Sequence, residues 1–101
     1  MVMDIKKELQ EKKIIFFIEG RVDTYTAPDL EKAIDEELDN FDELTLDFEK
    51  LEYISSAGLR VLISTQKKSK KDGFSFKIRN VNDTVNEILR MSKFDKILTI
   101  E

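Results

Sequence analysis

Hydrophobic and polar residues begin this chain in a strand-like pattern. Ile5 and Leu9 lie in a weakly alternating segment, and residues 14–18 form a β-branched and aromatic run that ends near Gly20. A continuous apolar run of this kind is typical of a central strand buried on both faces. The polar residues 11–13 predict a short turn between the two segments, so the two strands should pair antiparallel.

Apolar residues then recur at helical spacing three times, each time after residues that can cap a helix. Pro28 fits the first turn of the first helix, and Gly73 is a natural C-terminal stop for the second. The predicted helices run from Thr26 to near Asn40, from Ser56 to Gly73, and from Asn82 or Asp83 through Leu89.

Further strands are predicted between and after these helices. Residues 44–48 and 74–78 alternate between apolar and polar side chains, and residues 97–100 predict a short last strand. Strands separated by helices pair in parallel through right-handed crossovers. The predicted order is therefore β-β-α-β-α-β-α-β, an α/β fold with a mixed β-sheet and packed α-helices.

The composition narrows the chemistry. The chain has 101 residues, which predicts a single domain over residues 1–101. It contains no cysteine and no histidine. This excludes zinc sites built on thiolate or imidazole, cysteine nucleophiles and Ser-His triads. The sequence also has no Walker-type glycine loop, no base near a serine nucleophile and no metal cluster, so we expect a protein that is not an enzyme and has no catalytic residue, metal or cofactor.

Charge and hydropathy bear on partners and location. The net charge is −4, whereas nucleic-acid binding needs a basic face, so we expect no nucleic-acid partner. Residues 1–7 lack the apolar core of a signal peptide. The longest apolar run, residues 14–18, is far shorter than the roughly 20 residues that cross a bilayer. We expect a cytoplasmic protein that does not contact the membrane.

Two segments, residues 20–27 and 53–60, run from the end of a strand into a helix. Binding sites collect at this edge of open α/β sheets. The first segment can be explained as an ordinary capped helix start. In the second, Gly58 falls inside the first helical turn, where glycine costs about 1 kcal/mol relative to alanine. Either close helix–sheet packing or the close approach of another molecule could favour it.

Together, these segments resemble the STAS domain family, and more narrowly the bacterial anti-sigma-factor antagonists. The resemblance rests on Gly20-Arg21-Val22-Asp23 with Thr26-Ala27, and on Tyr53-Ile54-Ser55-Ser56-Ala57-Gly58-Leu59. It covers essentially the whole chain and implies the SpoIIAA-like STAS fold.

The resemblance also implies a switch. In the family, the partner anti-sigma factor is a protein kinase that phosphorylates a serine at the start of the second helix. The usual pattern there is Asp-Ser-Ser/Thr-Gly-Leu, and this chain has Ser55 in place of the aspartate. Ser56 falls on the phosphorylated serine, with Ser55 as second choice. Implied partner-binding residues are Asp23, Thr24, Thr26, Ser55, Ser56, Ala57, Gly58, Leu59 and Arg60.

The implied function is to bind the anti-sigma factor in the unphosphorylated state and so release the sigma factor. Phosphorylation would end this binding, and a serine phosphatase would restore it. The alternative is a small nucleotide-binding or signalling module of the same fold that does not regulate a sigma factor. The basic run at residues 67–71 is interpreted as a solvated helix end, with an acidic partner or nucleic acid as alternatives.

Overall fold

The structure, a computed structural model, describes residues 3–101. Met1 and Val2, which belong to the predicted domain and N-terminal segment, lie outside the described residues. The α/β fold with a mixed sheet is confirmed. Its elements are β1 (Met3–Gln10), β2 (Lys13–Val22), α1 (Ala27–Asp35), β3 (Glu43–Asp47), β4 (Leu51–Ile54), α2 (Ser56–Asp72), β5 (Ser75–Arg79) and α3 (Asp83–Met91), followed by a 3₁₀ turn (Phe94–Lys96).

The sheet is organised around β2. This strand pairs antiparallel with the whole of β1 through residues 13–20 and in parallel with β3 through residues 13–17. Its last residues, from Gly20 to Val22, pair in parallel with β4, with a shift of register between Gly20 and Arg21. Gly20 has φ 97°, a conformation that favours glycine. β5 pairs in parallel with β3 at the other side. The ends of β2 and β4 thus lie side by side.

Three details of the predicted elements are wrong. β4 is missing from the predicted order, because Leu51-Glu52-Tyr53-Ile54 is too short to display alternation. The predicted last strand reduces to one bridge, between Ile78 and Ile100. The regular part of α1 ends at Asp35, and turns continue the chain to the predicted end near Asn40.

The core lies on one face of the sheet. Ile14, Phe16 and Ile18 are at most 2% exposed and form one buried cluster with the apolar sides of the helices. Ile15 and Phe17, which point to the other face, are only half-buried, so the prediction that β2 is buried on both faces is wrong. In residues 3–101 no helix is both long and apolar enough to cross a membrane.

Candidate functional site

The two segments predicted to carry function meet at the carboxyl ends of β2 and β4. Arg21 is in register with Tyr53, and Val22 with Ile54. The Ser55 N–H donates a hydrogen bond of 2.8 Å to the Val22 carbonyl, which joins the two segments beyond the strands. We call residues 20–27 the first loop and residues 53–60 the second loop. Their contact places the predicted site residues on one edge of the sheet.

The first loop is closed by its own side chains. One carboxylate oxygen of Asp23 accepts hydrogen bonds from the Tyr25 N–H at 2.9 Å and the Thr26 N–H at 3.1 Å. In return, the Thr26 hydroxyl oxygen accepts from the Asp23 N–H at 2.8 Å and donates to the Arg21 carbonyl at 2.9 Å. Asp23 and Thr26 therefore fix the path of the chain from β2 into α1.

This network corrects two expectations about Thr26. Its side chain makes no capping hydrogen bond to α1, because its hydroxyl is used on the residues before it. It is also only 3% exposed, so it cannot contribute direct contacts to a partner. Its part in the predicted binding surface is to support the loop from within.

The hydrogen bonds also set the charge of Asp23. Burial acts to raise the pKa of this carboxyl, but the hydrogen bonds from Thr26 and Tyr25, together with the positive charge of Arg21, hold the pKa below its ordinary value. The carboxylate is consequently ionised at neutral pH, and it is already occupied within its own loop.

In the second loop, one of the two serine hydroxyl groups has no hydrogen-bond partner in the described part of the chain. Ser55 is the N-cap of α2, in extended conformation, and its hydroxyl oxygen accepts from the Gly58 N–H at 3.4 Å, which is long for such a bond. Ser56 is the first residue of the helix and is exposed. Its hydroxyl has no hydrogen-bond partner within residues 3–101. The two adjacent serines are therefore in different environments.

Gly58 is buried against the sheet. A Cβ atom built on it would lie 2.5 Å from Cγ1 of Ile54 and 2.7 Å from Cγ1 of Val22, both in fully buried side chains. These distances are shorter than carbon atoms tolerate, so the backbone of α2 could not approach the sheet so closely with any other residue. Close helix–sheet packing therefore explains the glycine without a contact to a partner, and the residue itself is buried.

The other predicted contact residues divide by exposure. Thr24 and Arg60 are exposed, and Ala57 and Asp23 are half-buried. Leu59 is 8% exposed and belongs to the core, which corrects its expected role as a contact residue. The candidate surface is therefore made by the tip of the first loop and the outward side of the first turns of α2.

Two aromatic residues at this edge, Tyr25 and Tyr53, were not among the predicted partner-binding residues. Tyr25 is 85% exposed at the tip of the first loop, between the two residues that close it. The guanidinium of Arg21 in the first loop lies 4.5 Å from the centre of the Tyr53 ring in the second, so a cation–π contact links the two loops. An aromatic residue between a turn-forming aspartate and a threonine was the available signal for Tyr25.

A family model for the STAS domain matches residues 4–101. The chain belongs to the STAS domain family. The match covers every strand and helix described above except Met3, the first residue of β1, and it includes both loops of the site. This confirms the resemblance that rests on the residues of those loops.

Individual relatives agree with this assignment. The chain is 28% identical to the anti-sigma-B factor antagonist of Bacillus subtilis (strain 168) over 98 residues, which are 97% of this chain and 88% of the relative. An anti-sigma factor antagonist from Mycobacterium paratuberculosis has the same fold, with a TM-score of 0.86, 24% identity, and 97% and 84% of the two chains covered.

The fold is also that of the anti-sigma factor antagonist SpoIIAA. Its unphosphorylated form gives a TM-score of 0.82 at 13% identity, with 97% of this chain and 88% of SpoIIAA covered. The phosphorylated form of SpoIIAA, a Bacillus cell fate determinant, gives 0.76 at 12% identity, with 97% and 91% covered.

Proposed function

We propose that this STAS domain is an anti-sigma-factor antagonist that is switched by phosphorylation of Ser56. In the unphosphorylated state it binds an anti-sigma factor that is also a serine kinase, and the bound anti-sigma factor releases its sigma factor. The observation that carries the proposal is the free, exposed hydroxyl of Ser56 at the start of α2, next to Ser55, whose N–H joins the second loop to Val22 of the first.

The choice of Ser56 over Ser55 follows from their environments. A kinase must bring the acceptor hydroxyl to within contact distance of the transferred phosphoryl group. Ser55 is half-buried and its hydroxyl caps α2. Phosphorylation of this hydroxyl would remove the cap and require the start of α2 to move away from its neighbours. Ser56 needs no such change, which favours it as the acceptor.

A phosphate on Ser56 is compatible with the fold. It would add about −1.5 to −2 charges at neutral pH. The N-terminus of a helix favours an anion, since its first N–H groups lack partners and the helix dipole is positive there. We therefore expect the modification to act on the interface, through bulk and charge, and not by unfolding the domain.

The first loop supplies the other half of the proposed interface. Because Asp23 and Thr26 hold its path, Thr24 and Tyr25 are presented outward in a fixed position. Exposed tyrosines are frequent among the residues that dominate binding energy at protein interfaces. The role of Asp23 is then to position its neighbours, in addition to any contact of its own.

The relatives support this proposal in two ways. The 28% identical relative from Bacillus subtilis is an antagonist of an anti-sigma factor, and SpoIIAA occurs in both unphosphorylated and phosphorylated forms. A reversible switch also needs a route back, so we include a serine phosphatase that acts on phosphorylated Ser56.

The test uses ATP and an anti-sigma kinase from the same genome, with phosphate incorporation followed by mass spectrometry. The wild-type chain and Ser55→Ala should each gain one phosphate on Ser56, whereas Ser56→Ala should gain none and still bind the kinase. Phosphate on Ser55 in the wild type would show that the acceptor is wrong. Failure of the unmodified domain to bind any anti-sigma factor would contradict the function itself.

A further inference from the structure

The outward side of α2 carries a line of polar residues that begins at Ser56. With 3.6 residues per turn, positions spaced by three or four lie on one side of a helix. Ser56, Arg60, Ser64, Lys67 and Lys71 follow this spacing, and all but the half-buried Ser64 are exposed. We call these five residues the α2 stripe. From Arg60 to Lys71 it extends about 16 Å along the helix.

The cations of the α2 stripe are not neutralised by this chain. In the basic run at residues 67–71, Lys68 forms ion pairs with α1: its Nζ lies 2.7 Å from Asp35 and 4.0 Å from Glu31. Across residues 3–101, by contrast, Arg60, Lys67 and Lys71 form no ion pair. The stripe is therefore locally positive, although the whole chain has a net charge of −4.

A solvated helix end explains only part of the α2 stripe. Cations near a helix C-terminus are favoured by the dipole, which accounts for Lys71. Arg60 lies in the second turn of a 17-residue helix, near the end where the dipole disfavours a cation. The helix dipole therefore does not account for a cation at Arg60.

An apolar groove runs beside the α2 stripe. It has a volume of about 720 Å³ and lies between α2, the start of α1 and the 3₁₀ turn. Arg60 and Lys67 of the stripe and Thr24 of the first loop line it, together with Glu31, whose carboxylate lies 4.0 Å from Nζ of Lys68. Its apolar lining includes Ala27, Pro28, Val61, Phe94 and Ile97, of which Ile97 is 50% exposed.

We propose that the α2 stripe and this groove bind an acidic amphipathic segment of the protein partner. Its carboxylates would pair with Arg60 and Lys67, and its apolar side would cover the groove, which is continuous with the loops of the site. This inference rests on the proposed function and names the chemistry of the partner surface. Opposite charge is required because the stripe is positive, and an apolar side is required because the groove beside it is mostly apolar and exposes half of Ile97.

The inference also gives phosphorylation a physical effect. The stripe carries three positive charges, and a phosphate on Ser56 would contribute about −1.5 to −2 one turn away from Arg60. A phosphate can bind an arginine through two parallel hydrogen bonds. Phosphorylation would thus neutralise about half of the stripe and occupy Arg60, in addition to placing bulk at the interface.

The association rate with the anti-sigma factor tests the proposal, measured by stopped flow from about 50 to 500 mM NaCl. Attraction between opposite charges raises association rates and is screened by salt. At low salt, Arg60→Glu and Lys67→Glu should each slow association about tenfold and flatten the salt dependence. Lys12→Glu, the same charge change in the β1–β2 turn at the opposite end of β2, should alter the rate less than about twofold.

The outcomes separate this inference from the function. If Arg60→Glu and Lys67→Glu associate like the wild type while phosphorylation of Ser56 still ends binding, the inference is wrong and the switch stands. If the unmodified wild type does not bind, both are wrong. Salt-dependent retention on duplex DNA that Arg60→Glu abolishes would overturn the choice of a protein partner. Melting temperatures of the variants should match that of the wild type.

The pairing of Arg60 with a phosphate on Ser56 can be measured separately, through the pKa of that phosphate. In phosphorus NMR titrations of the Ser56-phosphorylated chain, the second pKa of the phosphate should be below its usual value of about 6. In the phosphorylated Arg60→Gln variant this pKa should rise toward that value. Equal phosphate pKa values in the two proteins would overturn the pairing of Arg60 with the phosphate.

Discussion

The two loops of the site lie side by side yet use their polar side chains in opposite ways. In the first loop the polar groups of Asp23 and Thr26 form hydrogen bonds with each other and with the neighbouring backbone. In the second loop, the Ser55 hydroxyl caps α2, whereas the hydroxyl of the adjacent Ser56 stays free. The comparison teaches that a recognition edge needs a rigid part that holds position and a part left open for chemistry.

Gly58 gives the largest expected effect, because it holds the second loop against the rigid sheet. Gly58→Ala forces Cβ into Ile54 and Val22 and should lower the free energy of unfolding by about 1–3 kcal/mol, measured by urea denaturation. Gly73→Ala is the control, since no atom lies within 4 Å of its Cβ and only the strain of φ 79° opposes it. Wild-type stability of Gly58→Ala would show that the packing at this loop is not tight.

Asp23→Ala tests whether the first loop is a positioning device. The substitution removes the acceptor for two backbone N–H groups, so the melting temperature should fall by several degrees. Partner affinity should fall too, since Thr24 and Tyr25 lose their fixed position. Thr24→Ala, an exposed neighbour, should leave the melting temperature unchanged. Reduced affinity at unchanged melting temperature in Asp23→Ala would instead indicate a direct contact.

Ser55 and Ser56 should differ slightly in stability and completely in phosphorylation. Ser55→Ala removes a cap with a long hydrogen bond, so it should cost about 1 kcal/mol or less. Ser56→Ala removes no intramolecular bond and should change the free energy of unfolding by less than about 0.5 kcal/mol. Urea denaturation of the two variants side by side makes the comparison. A larger loss for Ser56→Ala would mean that its hydroxyl is also structural.

The smallest effect is expected from acid. Because the folded state lowers the pKa of Asp23, its hydrogen bonds stabilise the fold above the unfolded pKa of about 3.9, and this contribution is lost as the pH falls through the lower folded value. In Asp23→Asn this part of the acid dependence should be absent when melting temperatures are compared below about pH 4. Identical acid dependence in the two proteins would contradict the hydrogen-bonded carboxylate.

An element could be predicted from the sequence when the residues that determine it are close together in the chain. Helical periodicity and the alternation of residues 44–48 and 74–78 carry their information locally, and those elements were predicted. β4 and the one-sided burial of β2 depend on which strands become neighbours, which no local pattern states.

The same limit applies to the site. The positions of both loops followed from strand ends and helix starts, so the edge was predictable. The interior location of Thr26, Gly58 and Leu59 was not, because it depends on contacts with Arg21, Val22 and Ile54 that come from other elements. Exposure alone separates Ser56 from these neighbours, and exposure requires the assembled sheet.

The central claim is that one phosphate on Ser56 ends binding to the anti-sigma factor without unfolding the domain. Isothermal titration calorimetry of the unphosphorylated and Ser56-phosphorylated chains, with circular dichroism on the same samples, tests it directly. We predict affinity at least about 100-fold weaker after phosphorylation, which is about 2.7 kcal/mol, with an unchanged spectrum. Equal affinities, or weaker binding accompanied by loss of helical signal, would contradict the account.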